Sequence, residues 1–60
     1  MNDLAISRLL GRAADNTARA RRCLRNGKRD EARKHTDRAQ RLLILAADAR
    51  LVGAASRFLH

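Results

Sequence analysis

The sequence predicts an all-α protein, a single antiparallel two-helix hairpin spanning residues 1–60 and expected to dimerise into a four-helix bundle. Three observations carry that expectation. The chain has no proline, so nothing breaks two long segments. Asn26-Gly27 is the one interior place where two strong breakers adjoin, and glycine closes a helix in the left-handed conformation without a Cβ penalty. On both sides of that break, apolar and small residues recur at intervals of three and four, the spacing of a helix with one buried stripe.

The first helix is expected over about residues 3–25. Ile6, Leu10, Ala13, Thr17, Ala20 and Leu24 form an a/d seam over three heptads, widened near its start by Leu9. Its middle is built of small residues, which bury little but let a neighbouring backbone come close. Gly11 costs roughly 1 kcal/mol against alanine inside a helix, so a close approach there is one explanation and chance is the other. Residues 26–28 form the turn. The second helix is expected over about residues 29–59, with Asp30 and Glu31 in its first turn, where the helix dipole favours negative charge.

That second helix changes character along its length. Ala32, His35 or Thr36, Ala39, Leu42 and Leu43 make a narrow stripe, whereas beyond Leu42 only Asp48, Arg50, Ser56 and Arg57 are polar before His60. Two apolar stripes coexist there, one through Leu45, Val52 and Leu59 and one through Ile44, Leu51 and Phe58. A helix apolar over most of its circumference has more than one partner. With the chain folded at Gly27, facing residues should have numbers adding to roughly 55, an estimate from hairpin geometry. The first helix then runs out opposite about Val52. Leu42, Leu45, Leu51, Val52, Phe58 and Leu59 are the candidate oligomer or partner interface.

Size points the same way. Sixty residues fall below the length at which a single-chain core is comfortably stable. One cysteine, Cys23, makes no disulfide within the chain, and one Cys with two His cannot close a zinc site. Self-association remains, with a dimer favoured. No cofactor and no metal are expected. The longest uncharged stretches, residues 42–47 and 51–56, are far short of the ~20 residues of a membrane span, so a membrane partner is unlikely by this reading and a cytoplasmic location is expected.

Charge carries the strongest functional signal. Lys and Arg number 14 against 6 acidic residues, a formal charge of +8 and a pI near 11.7. Such a balance suits nucleic acid or an acidic protein surface. Ten of the 14 basic residues lie between Arg19 and Arg41, against only Asp30, Glu31 and Asp37. The turn end of the hairpin is therefore a positive pole. Asp15–Arg19, Asp30–Lys34 and Asp37–Arg41 have the i,i+4 spacing of helix ion pairs, yet most of the arginines lack an obvious partner. Arg19, Arg21, Arg22, Arg25, Lys28, Arg29, Arg33 and Arg38 are the candidate nucleic-acid-binding residues, because guanidinium groups grip phosphate bidentately. A solvated surface, or a base composition favouring Arg and Ala codons, would give the same richness.

With no Tyr or Trp and a single Phe far from the pole, stacking on unpaired bases has no platform, so contact should be to the backbone of a duplex or folded RNA. No enzyme site is expected: Cys23 and His35 could approach one another near the turn, but a small seam cysteine and a half-buried histidine explain them as well. The function expected is that of a small basic regulatory protein, dimeric through its apolar C-terminal helix and binding nucleic-acid backbone with its arginine-rich tip. The alternative is an interaction module, such as a phage- or mobile-element-encoded inhibitor or anti-activator that occludes a host protein.

Over about 23 residues, Ala20-x3-Leu24-x2-Gly27-x3-Glu31-Ala32-x6-Ala39-x2-Leu42 resembles one tetratricopeptide-type helical hairpin, without that repeat's aromatic positions. In size and layout the chain is also similar to the plasmid Rop family, helical hairpins that dimerise and bind RNA. That likeness is one of architecture, with no shared motif.

Overall fold

A computed structural model describes the backbone of residues 3–59 and the side chains of residues 3–53. It contains two helices, α1 (Asp3–Arg25) and α2 (Arg29–Leu59), packed against each other as a hairpin. The two-helix hairpin expected from the sequence is present.

The reversal is a Schellman motif. Lys28 N–H donates to Cys23 C=O at 2.8 Å and Gly27 N–H to Leu24 C=O at 3.1 Å, satisfying carbonyls that the helix end would orphan. Gly27 makes this possible with φ of 74°. Nothing lies within 4 Å of where its Cβ would stand, so a side chain there meets backbone strain and no neighbour. Gly27→Ala should lower stability by about 1 kcal/mol and Gly27→Asn by less, as read from urea unfolding of the two variants. On the far side Lys28 C=O accepts the first α2 bond, from Ala32 N–H at 3.0 Å, and Asp30 and Glu31 occupy the first turn.

The seam differs from the one the sequence suggested. The buried residues are Ile6, Ala13 and Ala20 on α1 and Ala32, Ala39 and Ala46 on α2. They recur every seven residues and pair off so that each pair's numbers add to 52. Beside them Leu9, Asn16 and Cys23 are half-buried, as are His35, Leu42 and Ala49. Thr17 and Leu24, expected in the seam, are exposed, Leu24 by 57%. The physical reason is the methyl side chain: alanine facing alanine lets the helices close up, and the register that stacks those layers wins over one that stacks leucines. Asn16 is tolerated there because its amide is bonded at both ends. The register of 52 replaces the expected 55, so α1 runs out opposite Ala49 and not Val52. About ten residues of α2, some 15 Å of helix, extend past it. The close approach considered at Gly11 is not found, since nothing lies within 4 Å of its would-be Cβ.

The result is a thin rod, 51 × 16 × 10 Å across its Cα positions. No large side chain is fully buried among the described residues. The chain exposes 5146 Å², about 1,200 Å² more than the roughly 3,900 Å² that a compact monomer of its mass exposes by surface scaling. Large apolar side chains contribute to it: Leu51 and Val52 are 68% and 63% exposed, and Leu4, Leu43, Ile44 and Leu45 are also open. Among the described residues no helix is long and apolar enough to cross a membrane.

Candidate nucleic-acid interface

The alanine lines sort every other side chain onto one of two flanks. A residue one position before a buried residue lies about 100° to one side of it, and a residue four positions after lies about 40° to the other. On the first flank stand Ala5, Arg12 and Arg19 from α1 and Glu31, Arg38 and Leu45 from α2. On the second stand Leu10, Thr17 and Leu24 from α1 and Thr36, Leu43 and Arg50 from α2. The first flank thus gathers three arginines at its middle, whereas the second is lined by leucine and threonine, with Arg29 and Arg33 joining it near the turn.

The second flank is less polar than its letters imply. Thr17 Oγ1 donates to Ala13 C=O and Thr36 Oγ1 to Ala32 C=O, both at 2.9 Å. Each hydroxyl is spent on its own helix, so these threonines contribute little more than methyl groups to a surface already carrying exposed Leu24 and Leu43.

On the first flank a cavity of about 420 Å³ opens between the helices, lined by Arg12, Asp15, Asn16, Arg19, Arg38 and Leu42. Its floor is fixed by Asn16, whose Nδ2 donates to Arg12 C=O at 2.9 Å and whose Oδ1 lies 3.3 Å from His35 Nδ1. With the amide so oriented, Oδ1 is the acceptor and His35 Nδ1 the donor. This is the polar link across the seam. His35 is therefore engaged with Asn16 and not with Cys23, the neighbour considered from the sequence.

All eight basic residues expected at the interface are exposed, and the structure distributes them. Arg19 and Arg38 meet in the 420 Å³ cavity. Lys28 and Arg29 line a shallow depression of about 350 Å³ at the turn, with Asp30 and Glu31 in its wall. Arg29 and Arg33 share a third, of about 310 Å³, with Leu24 and Thr36. Arg21, Arg22 and Arg25 line none of the three. Comparison with protein-family models, curated proteins and solved structures gives no match.

Arg12 is the residue that sequence reasoning missed. It lies outside the dense basic run, but it stands seven residues before Arg19 and directly before a buried alanine, which places it on the same flank. Of the candidate oligomer interface, Leu42 is half-buried in the hairpin and Leu45, Leu51 and Val52 are exposed, while the side chains of Phe58 and Leu59 lie outside the described residues. Cys23 is a half-buried free thiol. Among the described residues no three His, Cys, Asp or Glu side chains gather closely enough to hold a metal ion.

Proposed function

We propose that this chain is a small nucleic-acid-binding regulator that works as a dimer, presenting its basic half to the phosphate backbone of a duplex or folded RNA. The observation that carries the reading is that all ten basic residues between Arg19 and Arg41 are solvent-exposed, with only three acidic residues among them. A charge so concentrated repels itself, and neutralisation by phosphate with release of counterions relieves it.

Dimerisation is supported by the surface the single chain leaves open. The excess of about 1,200 Å² over the compact-monomer scaling exceeds the roughly 800 Å² that one partner contributes to a standard interface and falls in the range of obligate homodimers. The apolar C-terminal half of α2 and the neighbouring leucine flank supply the chemistry, and a two-fold dimer completing a four-helix bundle covers them. The same exposed leucines favour one other reading, a module that occludes an apolar or acidic site on another protein.

A mobility-shift titration of the purified chain with 20-base-pair duplex DNA and a structured RNA separates the two. Micromolar or tighter binding at 50 mM salt, weakening by about a thousandfold at 200 mM, is the behaviour expected for some six phosphate contacts. Absence of binding to both probes at 50 mM salt would refute the nucleic-acid reading and leave the protein-partner one.

A further inference from the structure

We infer that phosphate is gripped in the interhelical groove, by Arg12, Arg19 and Arg38, and not at the turn of the hairpin. This rests on the nucleic-acid reading and names the site within it. Three guanidinium groups from two helices line one open cavity of about 420 Å³, and Asp15 is the one carboxylate in its lining. Arg12 and Arg38 stand on opposite walls, each directly before one of the facing alanines Ala13 and Ala39. Arg19 follows Arg12 one heptad along the same wall, about 10 Å away, the axial span of about three phosphates of one strand.

The floor adds no competing ligand. The Asn16 amide bonds Arg12 C=O through one Nδ2 hydrogen and accepts at Oδ1 from His35, and Leu42 is apolar, so the arginine forks supply most of the donors facing an incoming group. Further cations border the cavity, and Glu31, one heptad before Arg38, closes its wall toward the turn. Arg8 lies one turn before Arg12, and Lys34 and Arg41 lie one turn either side of Arg38, at the i,i+4 and i,i+3 spacings that share a helix face. An open trough with basic rims suits an extended polyanion. The turn differs: its depression at Lys28 and Arg29 includes the carboxylates of Asp30 and Glu31, which offset the two cations there.

The test uses the full chain and fluorescence anisotropy with labelled 20-base-pair DNA and RNA duplexes. Arg12→Gln with Arg38→Gln is compared with Arg25→Gln with Arg29→Gln. Both pairs remove two charges from exposed positions, so bulk electrostatics alone would weaken binding equally. The groove pair should raise Kd at least tenfold and reduce the slope of log K against log salt by about two, while the turn pair changes Kd less than threefold. Equal loss in both pairs, or greater loss in the turn pair, overturns the groove assignment and leaves the nucleic-acid reading standing. Arg12→Lys with Arg38→Lys keeps charge and helix propensity while removing the bidentate fork. It should weaken binding several-fold with the salt slope unchanged, and no loss would overturn the grip described. Displacement of the duplex by poly-glutamate at equal charge concentration would assign the groove to a carboxylate-bearing protein instead. A wild-type chain that binds neither duplex at 50 mM salt would defeat the inference and the reading together.

Discussion

Ala39→Leu is expected to lower the thermal midpoint of this protein by on the order of 10 °C. Ala39 is 4% exposed and its register partner Ala13 is 2% exposed, so the space between the helices at that layer is filled by two methyl groups. A leucine has nowhere to go. Either its side chain leaves its rotamer well or the helices separate, and separation also loosens the layers of Ala20 with Ala32 and Ile6 with Ala46. Overpacking of this kind costs about 1–3 kcal/mol. For a chain of this length total stability is only about 3–9 kcal/mol, and each kcal/mol moves the midpoint by about 4–8 °C. The control is Ala18→Leu, exposed on the side of α1 that faces away from α2, which should stay within about 0.5 kcal/mol of wild type. Circular dichroism melts at one fixed concentration compare the two, and equal midpoints would mean that the alanine seam is not a close contact.

Leu51→Asp should convert the proposed dimer to a 6.7 kDa monomer and reduce helix content at micromolar concentration. The strength of this test lies in Leu51 being 68% exposed in the single chain. Within one hairpin the substitution removes almost no contact, so a large effect needs a second chain. Burying a leucine is worth about 1.5–3 kcal/mol and symmetry counts it twice. The dimer should therefore weaken by about a hundredfold to ten-thousandfold, at 1.4 kcal/mol per decade. Light scattering gives the mass and a dilution series of melts gives the coupling. A wild-type midpoint independent of concentration, or an unchanged mass in the variant, would rule out this surface as the dimer contact. Because so little is buried within one protomer, helix loss should accompany dissociation.

The hairpin is legible in the sequence because its causes are local. Gly27 supplies the one backbone conformation the reversal needs, Asp30 and Glu31 suit the start that follows, and no proline intervenes. The seam is less legible because the reading weights large side chains. Leu10, Thr17 and Leu24 are expected in the seam beside Ala13 and Ala20, whereas the helices turn so that Asn16 and Cys23 face inward, Leu10 is half-buried and Thr17 and Leu24 stay outside. The signal was present in Ala13 and Ala20, and in Ala32, Ala39, Ala46 and Gly53, all spaced by seven. Following it also yields the register, and with it the two flanks. The basic half was visible as a run of charges, but a run of charges says nothing about which arginines share a surface. Arg12 joins Arg19 and Arg38 through the heptad, and only the fold converts that spacing into a common cavity.

The alanine seam has a consequence for how this protein can change over generations. Substitution scales treat alanine as among the most exchangeable residues and leucine as among the least. Here the order is reversed. A column that accepts only a methyl group or less is held constant by the distance between two helix axes, while Leu4, Ile44 and Leu45, open to solvent in the protomer, are free to drift wherever no second chain touches them. Descendants of this chain should keep the alanines of this column even where larger residues outside any contact are exchanged.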